Sequence, residues 1–471
     1  MISDVKTAFP ELDIPEISNY FSENIQRWKN IYENNPEWGT VKKTGIYSKD
    51  KRELNRLNVA KVLADEFTAF TFSEQVEISI SDSSILKYVT ECFEKNGFWA
   101  NIIKILPSAY SFGGCVMKLF IRHENIDIDY IHADRFVPVE WNGKIITAAI
   151  IVSKTTKNNK HYTLFEYYRL GKVAYKLFRS ESTETLGVRA ELSELYEDLP
   201  ESVDYGTDIP VFVYFKPAVS NNAEYDVPLG MSVYANAIDT LKALDIAFDS
   251  FSREVVLGKK RIIVPSQATT QYYDQKAESW MNAFDSDDEA YVVFNSDDAE
   301  DLKVTDNTLT LRIQEHIDAI NALLNILCFQ TGLSAGTLSF DAVQGLKTAT
   351  EVISQESKTQ RTIKNNKNLF TEAMEELIQA IIVLGRYLGH IPEGEMPEIT
   401  IGWNDNIIID DNTMMDNTIK LYNAGLIDLV TAVMRVNKCD ESTAKAMAEK
   451  IKAEQSMGSA DFFGSNPKTE E

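Results

Sequence analysis

The segment Gly332-Leu333-Ser334-Ala335-Gly336 spells GxSxG, the pattern that holds a nucleophilic serine on a sharp turn in α/β-hydrolases. That chemistry needs a strand running into the turn and a helix leaving it. The residues before Gly332 have helical spacing, so the pentapeptide reads as a loop after a helix closed by glycine. Asp285, Asp287, Asp288 and Glu289 bring calcium to mind. An EF-hand loop needs Gly where Ala290 stands and Glu where Ser296 stands, so a solvated acidic loop without metal is the expectation. His123, His132, His161, His316 and His390 have no metal-ligand spacing such as HExxH and read as ordinary core or surface residues. Cys92, Cys115, Cys328 and Cys439 lie far apart without CxxC spacing, as buried thiols in a reducing compartment do. GxxxxGKS/T does not occur, which excludes a P-loop ATPase. The expectation is a protein that is not an enzyme and carries no cofactor. The alternative is a cytosolic enzyme of unrecognised type that uses Ser334 or an acidic metal loop.

The elements that would position these residues follow from apolar periodicity. Leu54, Leu57, Ala60, Leu63, Phe67 and Phe70 predict an amphipathic helix, and Val76, Ile78 and Ile80 a strand after it. Two further helices carry Ile85, Val89 and Phe93, then Phe98, Ile102, Leu106 and Tyr110, ending at Gly113-Gly114. The period then changes to two. Runs at 115–121, 126–131, 145–153, 161–169 and 173–178 predict an antiparallel meander, with Trp141-Asn142-Gly143-Lys144 as one of its turns. After Pro228-Leu229-Gly230, the stripe Tyr234, Ile238, Leu241, Phe248, Phe251 and Val255 predicts a helix of about eight turns ending at Gly258. Strand-like pieces at 262–265 and 290–294 follow, and then a second long helix with Ile313, Ile317, Ile320, Leu324 and Leu327. A very long helix is expected over about 350–388.

Bulk properties bound the function. The chain has 471 residues, 44% of them hydrophobic, which is enough for a sizeable core and several structural regions. With 47 Lys plus Arg against 71 Asp plus Glu, the net charge of −24 repels phosphates at long range and argues against a conventional DNA-binding domain. No apolar run is long enough to span a bilayer and no signal-peptide pattern stands at the N-terminus, so no membrane association is expected.

A resemblance emerges from the order of motifs. Asn35-Pro36-Glu37-Trp38, Phe70 to Glu74, Gly113 to Lys118, Ala133-Asp134-Arg135-Phe136-Val137-Pro138 and Gly230-Met231-Ser232-Val233-Tyr234 come first. Asp245 to Phe251, Gly258-Lys259-Lys260-Arg261, Gly332 to Gly336 and Lys347 to Val352 complete the series. In these places the chain resembles the portal proteins of tailed bacteriophages of the siphovirus and myovirus kind. The resemblance implies an α+β fold, a portal-type subunit with an antiparallel-sheet wing, two long stem helices, a small α/β clip, a tunnel loop, a long helix and a helical crown. The matching partition is wing 1–229 rejoined by 398–411, stem helices 230–261 and 310–331, and clip 262–309. Tunnel loop 332–348, long helix 349–390, crown 412–456 and a disordered tail 457–471 follow. The resemblance further implies a dodecameric ring at a capsid vertex, assembled in the host cytoplasm, through which double-stranded DNA is packaged and ejected. Its implied partners are further copies of itself, the terminase large subunit, a head–tail connector or adaptor, and the major capsid and scaffolding proteins. DNA passes without sequence preference.

Three sets of site residues are expected on that plan. Lys347, Lys358, Arg361, Lys364 and Lys367 stand against only Glu351 and Glu356, a local excess of +3 in an acidic chain, and suit weak phosphate contacts in a channel. Leu338, Phe340, Asp341 and Leu346 belong to the expected tunnel loop. Asp297, Asp298, Glu300 and Asp301 form an acid-rich clip surface able to steer basic partners.

Overall fold

Two helices open the chain, α1 (Ile2–Ala8) and α2 (Asn19–Tyr32), burying Val5 and Ala8 on the first and Ile25, Trp28 and Ile31 on the second. The computed structural model describes residues 1–15, 17, 19–42, 51–72, 76–143, 145–258, five strands between 262 and 306, 310–340, 349–403, 411–437 and 443–451. The chain forms two compact units, Met1–Ser73 with Glu77–Gly402, and Glu74–Val76 with Trp403–Glu471.

In the first unit, β1 (Thr40–Lys42) pairs antiparallel with β2 (Lys51–Glu53), and the Leu54 N–H donates to the Gly39 carbonyl. That pairing takes the backbone which the apolar spacing from Leu54 assigns to a helix. With Asn58 left-handed at φ 49°, α3 (Val59–Thr71) starts at Val59. β3 (Val76–Ile80) comes next, then α4 (Ser83–Lys95), whose Asp82 cap accepts from the Ser84 and Ile85 N–H groups. α5 (Phe98–Phe112) buries Phe98, Ile102, Leu106 and Tyr110 completely.

The strands then follow as β4 (Cys115–Arg122), β5 (Asn125–His132), β6 (Phe136–Asn142), β7 (Ile145–Lys157), β8 (Lys160–Arg169), β9 (Lys172–Ser180), β10 (Val188–Ala190), β11 (Ser202–Asp204) and β12 (Phe212–Phe215). Their pairing is antiparallel throughout, but it makes two sheets where one meander was expected. One is β12-β4-β5; the other is β10-β9-β8-β7-β6 with β11 on β9. A 3-10 turn at Ala133–Arg135 breaks the run, and β4 takes its second partner, β12, from far along the chain. β6 was not read as a strand at all. Between the sheets, buried Lys118 of β4 reaches Glu166 of β8 at 2.6 Å, and the Tyr168 hydroxyl donates to the same carboxylate at 2.9 Å. This fully partnered buried pair tolerates the loss of neither member.

α6 (Ile238–Leu257) is 20 residues long, about 30 Å, and not the eight turns expected from Gly230. Tertiary hydrogen bonds take the preceding residues: Val233 N–H donates to Tyr110 O at 2.9 Å, and the Tyr234 hydroxyl to Trp28 O at 2.8 Å. At that junction a Cβ on Gly113 would collide with the Gly230 carbonyl, and one on Gly230 with the Gly113 carbonyl. Only glycines allow the two backbones to cross there. Beyond α6 lie β13 (Ile262–Pro265), β14 (Thr270–Asp274), β15 (Ser279–Ala283), β16 (Tyr291–Phe294) and β17 (Thr305–Asp306). β13 pairs parallel with β16 and antiparallel with β17, while β14 and β15 form a hairpin. α7 (Ile313–Thr331) follows, then α8 (Ala349–Tyr387), 39 residues and about 58 Å. β18 (Ile399–Trp403) returns to pair with β3.

The second unit contains α9 (Asp411–Asn423), α10 (Leu429–Asn437) and a helical stretch at 443–451. Gly425 at φ 70° closes α9, and the Asp428 carboxylate accepts from Thr431 N–H to start α10. Among the described residues no helix is long and apolar enough to cross a membrane.

Candidate functional site

α6 and α7 pack as an antiparallel hairpin. Leu241 and Leu244 of α6 and Ile320, Leu324 and Leu327 of α7 are buried, and the Thr240 hydroxyl donates to Gln330 Oε1 at 2.8 Å. At the far end Arg312 grips Glu254 (Nη2–Oε2 2.9 Å) and holds its carboxyl down at about 2. Towards the body, two aspartates one turn apart on α6 anchor the segment 38–57. Asp245 accepts from Trp38 Nε1 at 2.8 Å and Leu57 N–H at 3.3 Å. Asp249 takes both Arg52 guanidinium nitrogens at 2.7 and 2.6 Å, and the Asn55 N–H at 3.1 Å. Their surroundings push them apart: burial raises the Asp245 pKa, whereas the hydrogen bonds from Arg52 lower that of Asp249. The sequence reading places Asp245 and Asp249 in a motif but assigns them no role. Their signal is visible as two acids four residues apart among the apolar positions Leu241, Leu244, Phe248 and Phe251 of the helix.

The chain after α7 doubles back along that helix. Asn325 Oδ1 accepts from Gly336 N–H at 2.9 Å, and Asn321 Oδ1, one turn earlier, from Phe340 N–H at 2.8 Å. Leu338 is buried, while Phe340 is 40% exposed and lies edge-on to Phe251 with ring centroids 6.4 Å apart. The root of the loop is bolted to α8. Ser334 N–H donates to Thr359 Oγ1 at 2.8 Å, Thr359 N–H returns a bond to Ser334 Oγ at 3.3 Å, and the Thr362 hydroxyl donates to Gly332 O at 2.7 Å. Ser334 is therefore buried, follows a helix and has its hydroxyl engaged as an acceptor, which is the geometry of a structural joint.

Of the five expected channel cations, four lie within the described residues, and they differ. Lys358 donates to Phe329 O at 2.7 Å with its ammonium 4.6 Å from the Phe329 ring centroid, so it caps the C-terminus of α7. Arg361 and Lys364 are exposed. Lys367 is only 8% exposed, which removes it from any water-filled surface of this subunit. The polar character of early α8 thus has a local cause, since Thr359, Asn366 and Lys367 are buried polar residues. Lys347, Asp341, Leu346, Asp297, Asp298, Glu300 and Asp301 lie outside the described residues, as do the 285–289 acids. Cys92, Cys115 and Cys328 are buried free thiols, with burial raising Cys92 to about 11 and Cys115 to about 12; Cys439 lies outside the described residues. His132 accepts or donates at Ser108 Oγ, 2.8 Å away, and His390 lies 3.2 Å from the Tyr88 hydroxyl.

The first unit thus combines a mixed body with antiparallel sheets, a long helical hairpin and, at Ser334, a polar joint between a loop and α8. The family model for phage portal proteins, SPP1 Gp6-like, matches residues 13–460. The chain belongs to that family of tailed-phage portal proteins, a structural and non-enzymatic family whose members are capsid components of the virion. No curated protein matches the sequence.

Proposed function

We propose that the chain is the subunit of a dodecameric ring at the capsid vertex, through which double-stranded DNA is packaged and later ejected. The observation that carries this reading is the α6–α7 hairpin. Its seam is filled, yet Ile246, Val256, Ile326 and the 76% exposed Phe329 remain on its outer faces. Apolar residues of that kind on a hairpin are covered when neighbouring copies stand side by side around an axis. Under this reading 1–229 with 398–411 is the wing, the hairpin (230–261 and 310–331) is the stem, and 262–309 is the clip. The clip docks the terminase large subunit during filling and a head–tail connector afterwards; Asp297, Asp298, Glu300 and Asp301 steer their basic surfaces.

Residues 332–348 form the tunnel loop, with Leu338, Phe340, Asp341 and Leu346. The long helix 349–390 carries Lys347 just before it and Arg361 and Lys364 on its exposed surface, for weak, salt-sensitive phosphate contacts in an otherwise repulsive passage. The crown, 412–456, faces the capsid interior, and the tail 457–471 has nothing to bury. Capsid and scaffolding proteins hold the ring at its vertex after assembly in the host cytoplasm. Electron micrographs and light scattering of the purified protein test the reading. Rings with a central hole and a mass many times 53.3 kDa are expected; a chain that stays monomeric at micromolar concentration rejects it.

A further inference from the structure

A cleft of about 690 Å³ opens in the first unit between the loop 216–230, the turn joining β6 to β7, and one face of α8. The ring, channel and clip assignments leave it without a role. About half of its lining is apolar, including Ile146, Ile209, Phe212, Val227, Leu369 and Ala373, and four acids, Asp208, Asp226, Glu372 and Glu376, also line it. Among the described lining residues the one base is Lys216, whose ammonium donates to the Pro228 carbonyl at 3.0 Å. Glu372 and Glu376 stand one turn apart on the same face of α8. Partial desolvation at the cleft, with the Glu372 charge beside it, raises the pKa of the solvent-accessible Glu376, and a cation between the two would favour its ionised form.

The cleft is also preformed. Fifteen residues without regular secondary structure are uncommon inside a folded unit, and such loops usually bind something. This one is tied down at several points. Asn221 Nδ2 donates to Leu229 O at 3.2 Å, and its Oδ1 accepts from the Ala223 and Glu224 N–H groups. Ala218 N–H donates to Asn366 Oδ1 at 3.0 Å, and Trp141 Nε1 to Asp226 O at 3.1 Å. A mouth held open in this way binds without first ordering itself.

We infer that this cleft binds an extended, arginine- or lysine-bearing segment of a protein other than this chain, with the segment's apolar side chains on the floor and its cations between Asp208, Asp226, Glu372 and Glu376. The charge balance selects the occupant. A nucleic acid is repelled by four carboxylates, and this chain's own basic stretch, Lys358 to Lys367, is folded into α8 and is no extended segment. Apolar walls favour alternating apolar and basic side chains over a bare polyamine, which would leave those walls wet. The inference goes beyond the ring reading and does not depend on it.

The test uses the full-length protein and a fluorescein-labelled Leu-Arg-Leu-Arg-Leu-Arg peptide, with its citrulline counterpart as the uncharged control, read by anisotropy at low and moderate salt. Glu372→Gln with Glu376→Gln should weaken the arginine peptide about tenfold. Glu181→Gln with Glu184→Gln, two exposed acids that do not line the cleft, should weaken it less than about twofold. The citrulline peptide should bind feebly to every form. Both glutamates of the first variant are exposed and glutamine is isosteric, so folding should survive, as an unchanged circular dichroism spectrum and thermal midpoint would confirm. Equal weakening by the two variants would reduce the effect to bulk charge and overturn the inference. Displacement of the peptide by an equal concentration of spermidine would overturn it in favour of a polyamine site. Dissociation of the native assembly by the cleft variant would show that a second copy occupies the cleft.

Discussion

Replacing Asp249 by Asn should release the segment 51–57 from α6 while leaving the rest of the first unit folded. In the native geometry Asp249 is almost wholly buried and accepts three hydrogen bonds, two from Arg52 and one from the Asn55 backbone. An exposed ion pair contributes at most about 1 kcal/mol, whereas breaking a buried one costs about 3–5 kcal/mol. Arg52 is 26% exposed and can turn to water once its partner is neutral, so about 2 kcal/mol is expected. Hydrogen exchange followed by mass spectrometry reads this as about 30-fold faster exchange in 51–57, with the strands of the six-stranded sheet unchanged. Arg52→Gln should give the same pattern, and the double variant should add little, because the two residues share one interaction. Asp245→Asn should be milder: its one amide oxygen keeps only one of the two bonds that Trp38 and Leu57 give to separate carboxylate oxygens, but a charge that burial disfavours is removed.

Acid should separate the two sites with opposite signs. The lowered Asp249 contributes stability that is present above its ordinary value of 3.8 and is lost as pH falls through its folded value below that. The raised Asp245 contributes below 3.8 and loses that contribution as pH rises through its folded value. Unchanged protection of 51–57 in Asp249→Asn, within about threefold, would refute this reasoning.

Reversing Asp297, Asp298, Glu300 and Asp301 to Lys should leave rings intact but impair packaging or tail joining, and a normal yield of infectious particles would reject the clip assignment. Arg361→Glu with Lys364→Glu should leave rings assembled and lower the DNA retained per particle, most visibly at low salt; unchanged retention would remove these residues from the channel. Lys367→Glu should instead reduce the yield of folded protein, since the side chain is buried. Truncation after Gln455 should preserve assembly by light scattering, and loss of folded protein would show that the tail is needed for the fold.

Where structure rests on local periodicity, the sequence was readable. α4, α5, α7, α8 and β3 fall where three-, four- or two-residue spacing puts them, and Gly113 and Gly332 mark helix ends by their own backbone preferences. The failures share a cause: in each, a distant partner outweighed local propensity. The helix expected from Leu54 starts only at Val59, because β2 pairs with 40–42 and the Leu54 N–H donates to the Gly39 carbonyl. α6 lost its expected first turns because Tyr110 and Trp28 bind Val233 and Tyr234. The single meander became two sheets because β12 takes the free edge of β4. The basic stretch on α8 was legible as composition only. Which of its cations is buried (Lys367), which caps a helix (Lys358) and which meet water (Arg361 and Lys364) depends on α7 and the loop 216–230 packed against it, and these lie outside any local window.

A common logic joins the residues that composition makes look reactive. Polar bonds in this chain concentrate at joints. Asp245 and Asp249 tie α6 to the N-terminal segment, Ser334 and Thr359 tie the loop to α8, Lys358 closes α7, and Arg312 with Glu254 closes the far end of the hairpin. Such bonds set direction well, because each fails once a donor moves by about an ångström. They add little net cohesion, because unfolding returns each group to water. Cohesion within the first unit comes from the buried side chains between the two sheets and under α3 and α5, where the apolar demand is met. On the outer faces of α6 and α7 that demand is not met. Oriented by its joints and left with Ile246, Val256, Ile326 and Phe329 in water, the hairpin has a defined direction and an incomplete surface. On the proposed ring reading, such a hairpin gains its remaining stability from assembly. Point changes at the joints should therefore alter the geometry of the assembly more than the folding of the subunit, and changes on the outer apolar faces should do the reverse of what a core change does: the monomer remains, and the ring is lost.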